Sequence, residues 1–134
     1  MRSFLNPLLD GAQGFTLRNG RTGAIVASEL QTAFDSATRR TGLLKHAAFE
    51  PGSALIIAPS NSVHTFFMRF PIDLAYVDRD GRIVKTRDTV RPWRLSGALR
   101  AFAVIELPAG QLSRTATVRG DLLAVVRTST FRST

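Results

Sequence analysis

From residue 53 onward the apolar positions come in short runs separated by turn residues, and each run suits a strand. Ala54 to Ala58 is continuously apolar, as in a buried strand. Val63 to Phe70 reads as a strand that sets His64, Phe66, Met68 and Phe70 on one face, because side chains alternate across a sheet. Asp73 to Asp78 and Arg82 to Asp88 flank Asp78-Arg79-Asp80-Gly81, a hairpin turn by its residue types. Arg91 to Ala98 is polar, holds Pro92 and Gly97, and predicts a loop. Ala101 to Leu107 is a further strand, ended by Pro108-Ala109-Gly110. Leu112 to Thr117 suits a short strand or a single helical turn. Leu122 to Thr128 closes the pattern after the Gly120-Asp121 turn.

The N-terminal third differs. Phe15 to Arg18 and Ala24 to Ala27 predict a hairpin through Asn19-Gly20, a strong turn signal. Leu30, Ala33, Phe34, Ala37, Thr41 and Leu44 approximate a helical stripe and predict a helix over about Gln31 to Leu44. Residues 1–13 read as a flexible lead-in, 14–128 as a single globular domain and 129–134 as a tail. Many short strands with one helix predict a mainly β fold, a β-sandwich or barrel-like domain with the helix packed on one side, α+β by strict count.

Composition narrows the chemistry. At 134 residues a chain can bury a core without staples, and the absence of cysteine removes disulfides, thiolate zinc sites and a cysteine nucleophile. The net charge is +8, and of 18 basic residues only Lys45 and Lys85 are lysine. The arginines are dispersed without a block of like charges, so they read as a solvated surface more than as a nucleic-acid footprint. The first apolar stretch is broken by Asn6 and Pro7, too short for a signal-peptide core, and no run is long enough to span a membrane. The expected location is cytoplasmic, with a periplasmic one left open.

His64 is the sharpest chemical candidate, since imidazole can serve as general base, metal ligand or anion donor near neutral pH. The other histidine, His46, has no ligand-spaced partner, and a metal site needs three or four donors, so neither metal nor cofactor is expected. Asp73 either orients His64 or accepts hydrogen bonds from backbone donors at a strand junction, the better reading. Glu106 lies inside the apolar run Ala103 to Leu107 and must be paired or protonated if buried. It could meet Arg69, Arg91 or Arg94 as a structural pair, or share a site with His64. Arg91-Pro92-Trp93-Arg94 carries the only tryptophan between arginines and could clamp a planar or anionic group. Ser60, Ser62 and Thr65 lie near His64, but no Gly-x-Ser-x-Gly, phosphate loop or dinucleotide fingerprint is present.

The leading expectation is a binding module for a small anionic or polar ligand. His64, Met68 and Glu106 would form its floor, and Arg69, Trp93 and Arg94 its rim, with Asp73 nearby. One alternative is a hydrolase-like enzyme with His64 as general base and Glu106 or Asp73 as its partner. The other is a nucleic-acid binder, suggested by net charge alone.

Several motifs carry a resemblance. They are Arg40-Thr41-Gly42-Leu43-Leu44, Gly52-Ser53-Ala54-Leu55-Ile56-Ile57, Val63-His64-Thr65-Phe66-Phe67-Met68-Arg69-Phe70-Pro71-Ile72-Asp73, Asp80-Gly81-Arg82-Ile83-Val84, Val104-Ile105-Glu106-Leu107-Pro108-Ala109-Gly110 and Val118-Arg119-Gly120-Asp121. In this order, over about residues 16–126, the chain resembles the prokaryotic domain-of-unknown-function family one-ninety-two. The resemblance implies a compact, mainly β domain and no established activity. Many relatives carry Lys-Asn after the motif methionine, where this chain has Arg69-Phe70.

Overall fold

The computed structural model describes residues 2–41 and 49–128. Its centre is a five-stranded sheet in the order β3(Glu29–Ala33), β4(Ser53–Ile57), β9(Ala103–Pro108), β6(Ile72–Val77), β7(Ile83–Val90). Only the β3–β4 pair is parallel. In β6 and β9 every residue is buried, and in β4 all but the first. These strands are apolar at nearly every position because both of their faces are covered.

One face packs against an antiparallel three-stranded sheet, β10(Leu123–Arg127), β1(Phe15–Asn19) and β2(Ile25–Ala27). Leu17, Val26 and Leu123 from that sheet meet Ile56, Val77, Ile105 and Leu107 from the central one. The other face gathers Leu55, Ile57, Leu74, Tyr76 and Val104. It is covered by a two-stranded ribbon, β5(Ser62–His64) with β8(Leu95–Gly97), and by the loop after β5. The result is mainly β and layered, and among the described residues no sheet closes into a barrel.

Three expectations need correction. Within the described residues helix α1 covers Ser36–Thr41, and the first part of the predicted helix is β3. Residues 29–33 pair with residues 53–57 in unbroken register, so ladder hydrogen bonds override a weak helical stripe. The helix starts where Asp35 accepts the Thr38 N–H at 2.8 Å, an N-cap. Residues 42–44, the end of that prediction, and His46 lie outside the described residues. The histidine strand stops at His64, and Phe67 at φ 66 turns the chain, so Phe66, Met68 and Phe70 do not continue one strand face. The supposed flexible lead-in carries a 3-10 turn, Asn6–Leu8, with Leu5 and Leu8 buried in the core. Two smaller readings resolve: the 91–98 loop contains β8, and the 112–117 segment begins in a helical turn, α2(Gln111–Arg114).

Polar groups fasten the margins. Asp121 is buried and accepts from Arg21 Nε at 2.6 Å, Asn19 Nδ2 at 2.8 Å and the Val118 N–H at 2.9 Å. The Arg21 hydrogen bond holds the Asp121 carboxyl well below the usual carboxylate range. At the β6–β7 turn, Asp78 accepts the Asp80 and Arg82 N–H groups, and Gly81 sits at φ 94. A Cβ on Gly81 would collide with the Leu123 carbonyl oxygen and crowd the Phe4 ring. Gly81→Ala is therefore expected to destabilise the fold by more than about 1 kcal/mol in urea unfolding. An unchanged midpoint would show that the turn relaxes freely.

Candidate ligand-binding surface around the His64 ribbon

Thr65 organises this region, and it does so because it is a buried residue with three hydrogen-bonding groups and little room to move. It is 1% exposed. Its N–H donates to the Arg94 carbonyl at 2.9 Å, and its carbonyl accepts the Trp93 N–H at 3.0 Å. Its hydroxyl donates to the Arg91 carbonyl at 2.7 Å and accepts the Arg94 N–H at 2.9 Å. The segment after β5 is thereby clipped to the segment before β8. The same bonds engage the hydroxyl fully, which leaves it poorly placed to be a nucleophile. Behind the clip, the Tyr76 hydroxyl donates to Ser96 Oγ at 2.7 Å and Lys85 Nζ donates to the Gly97 carbonyl at 2.6 Å. These two bonds latch β8 onto the central sheet.

Alternation then sorts the ribbon. Val63 packs inward on the central face, and Ser96 also reaches inward to Tyr76. Their neighbours His64 and Leu95, paired across the ribbon, are turned outward and exposed. Rings continue from His64 along the surface. Its centroid lies 4.9 Å from Phe66, Phe66 lies 5.7 Å from Trp93, and Phe67 meets Trp93 edge-on at 4.6 Å. The Phe66 N–H donates to His64 Nδ1 at 3.3 Å, so the neutral ring carries its proton on Nε2. Beside this array a shallow cleft of ≈ 500 Å³ is lined by Ser62, Val63, His64, Leu95, Ser96 and Gly97. Phe67 and Trp93 both hold left-handed backbone, at φ 66 and φ 67, a costly conformation for bulky residues. The Thr65 clip supplies the constraint that keeps them there.

The expected floor and rim separate. His64, Trp93 and Arg94 share the outer surface, and Arg69 is exposed on the loop after β5. Among the described residues no carboxylate pairs with Arg69, Arg91 or Arg94. Arg94 instead donates to the Pro92 and Trp93 carbonyls at 3.3 and 3.4 Å. Met68 and Glu106 lie inside, on the central-sheet face that Val63 covers. Glu106 stands between Leu55 and Leu74 in the register and is buried, and its carboxyl has no hydrogen-bond partner among the described residues. Burial pushes its pKa up to about 8, so it is protonated at neutral pH. Neither expected arrangement of Glu106 occurs: it pairs with none of Arg69, Arg91 and Arg94, and His64 is turned away from its face.

Asp73 is likewise no partner of His64. It is fully buried and accepts the Thr89 N–H at 2.8 Å, the Gly110 N–H at 3.1 Å and the Leu112 N–H at 3.0 Å. One carboxylate thus ties the end of β7 to the first turn of α2. Among the described residues no three His, Cys, Asp or Glu side chains group as metal ligands. No helix there is long and apolar enough to cross a membrane. Thr65, Phe66, Phe67 and Leu95 are the residues that sequence reasoning passed over as a surface. Their one legible signal was the density of large apolar residues in segments too rich in turn formers to bury them all.

The two strongest motifs of the chain meet in the central sheet, since Asp73 of one binds Gly110 of the other and Ile72 pairs with Pro108. A family model, DUF192, described as Uncharacterized ACR, matches residues 17–125. The chain belongs to the DUF192 family. Among solved structures, it is similar to a protein of Sinorhizobium meliloti 1021 described as a candidate transcription regulator. The TM-score is 0.72 at 19% identity, over 83% of this chain and 91% of that one. It is also similar to a protein of unknown function from Novosphingobium aromaticivorans DSM 12444. There the TM-score is 0.71 at 20% identity, over 81% of each chain. At these identities the likeness establishes the fold alone. No curated protein matches the sequence.

Two buried carboxyls of this DUF192 chain make opposite predictions. Glu106 titrates near about 4.3 when unfolded but holds its proton to about 8 when folded. Between those values only the unfolded state gives up the proton. Stability therefore falls as pH rises through that window, by up to about 1.4 kcal/mol per unit, and levels off above it. Glu106→Gln should abolish this slope and exceed the wild type in stability at pH 8; equal urea midpoints for the two proteins there would refute the protonated-core assignment. Asp73→Ala leaves three N–H groups, that of Leu112 buried, without their acceptor and should cost about 3 kcal/mol by the same measurement. A loss below about 1 kcal/mol would mean that water replaces the carboxylate.

Proposed function

We propose that this DUF192 protein is a binding module. It takes a small anionic ligand at the outer surface of the His64 ribbon, with Trp93, Phe66 and His64 as the ring contacts and Arg94 and Arg69 as the cationic ones. The observation that carries the reading is the clipping of two loops through Thr65, which holds an exposed aromatic array in strained backbone. Strain of this kind persists where the surrounding structure over-determines it, and it concentrates at ligand clamps. Arginines without carboxylate partners among the described residues suit an anion. A hydrolytic role for His64 has less support, because Asp73 is engaged by backbone donors and Glu106 faces the core.

Trp93 is the only tryptophan, so its emission reports on this surface alone. Titration with benzoate, glycerol phosphate and inorganic phosphate should give a saturable change in Trp93 emission for at least one of them. Arg94→Ala should weaken that binding about tenfold, a loss of about 1.4 kcal/mol. Emission that ignores every anion, or a response that Arg94→Ala leaves intact, would sink the reading.

A further inference from the structure

We propose that the occupant of this surface is the headgroup layer of an anionic phospholipid membrane, on which the protein docks peripherally. The inference rests on the anion-binding reading above and names the source of the anion.

A small soluble anion would engage the arginines and the rings beside them but leave Phe67 and Leu95 uncovered. Phe67 is 68% exposed, Trp93 56% and Leu95 71%, and all three belong to one facet. Phe67 touches Trp93 directly, Trp93 stacks on Phe66, Phe66 stacks on His64, and His64 pairs across the ribbon with Leu95. Scattered exposed apolar residues need no explanation, but a contiguous set of large ones marks a contact surface. The contact is built, since two of these side chains are held outward by left-handed backbone instead of folding onto the core. It is also rigid, because Thr65 ties the two loops and Tyr76 and Lys85 tie the ribbon to the central sheet. The ordering cost of projecting aromatic groups is therefore met before any partner arrives.

The surrounding charge selects the partner. Arg69, Arg91 and Arg94 lie on the same two loops, with no carboxylate pairing among the described residues, in a chain of net charge +8. Aromatic and leucine side chains that can enter the acyl boundary, borne on loops that also carry exposed arginines, fit an interface with anionic lipids. Arginine suits this place because its apolar stem can lie along the boundary while its planar head binds phosphate.

The test is co-sedimentation with vesicles of phosphatidylcholine alone and of phosphatidylcholine mixed with phosphatidylglycerol. The full chain should sediment with the mixed vesicles, shift Trp93 emission to the blue, and be released by added salt. The exposed-site variant Phe67→Ser/Leu95→Ser should keep its circular dichroism spectrum and lose at least about tenfold in vesicle partitioning. Failure to sediment with the mixed vesicles, or equal sedimentation of this variant, would overturn the proposal. If vesicles fail while glycerol phosphate still changes Trp93 emission, membrane docking falls and the small-ligand site stands. If both fail, both fall. Binding to a single-stranded oligonucleotide in place of vesicles would overturn the proposal in favour of a nucleic-acid surface.

Discussion

The burial of β4, β9 and β6 on both faces is the constraint from which the remaining structure follows. Ile56, Ile105 and Val77 point to one side, and Leu55, Val104 and Tyr76 to the other. Neither side can be left to water, since each buried side chain contributes about 1.5–3 kcal/mol relative to exposure. One side receives the β10-β1-β2 sheet together with Leu5, Leu8 and Leu112. The other receives a thinner cover of ribbon and loop. The chain N-terminal to β1 is drawn into the core for the same reason: a central sheet with two apolar faces needs more cover than one small sheet provides.

The thinner cover explains where chemistry-bearing residues end up. A two-stranded ribbon has only one inward face, so Val63 and Ser96 occupy it and His64 and Leu95 are left outside. The loop after β5 divides its apolar residues in the same way, Met68 inward and Phe67 outward. Thr65 makes this division permanent by exchanging with the segment before β8 hydrogen bonds that would otherwise go to water. The exposed array is therefore a consequence of supplying a cover with more large side chains than its inner face can hold.

Glu106 and Asp73 show how the same core treats two carboxyls. Asp73 is surrounded by N–H donors from β7 and α2 and acts as a fastener between them. Glu106 faces apolar neighbours and, among the described residues, no donor, so burial keeps it protonated. Asp73 has a structural explanation in its bonds. Glu106 has none in its contacts, and it opposes folding progressively as pH rises.

Much of the architecture was legible in the pattern of the chain. Apolar-rich runs at residues 54–58, 73–78 and 101–107 marked the central strands, and the first, apolar at every position, marked a strand covered on both faces. Asn19-Gly20 and Asp78 to Gly81 marked the two hairpins, whose left-handed positions fall at Gly23, φ 76, and Gly81, φ 94. The backbone role of Asp73 was also readable, from an aspartate following Pro71-Ile72 at a junction. What the local pattern misassigned depended on distant partners. Residues 31–33 became strand through pairing with residues 55–57, and the histidine strand ended at His64 because Thr65 found its hydrogen bonds near residues 91–94. Which way His64 and Glu106 face, and hence that they do not share a site, was likewise decided by tertiary structure. Alternation along a strand assigns side chains to two faces, and only packing says which of those faces is the core.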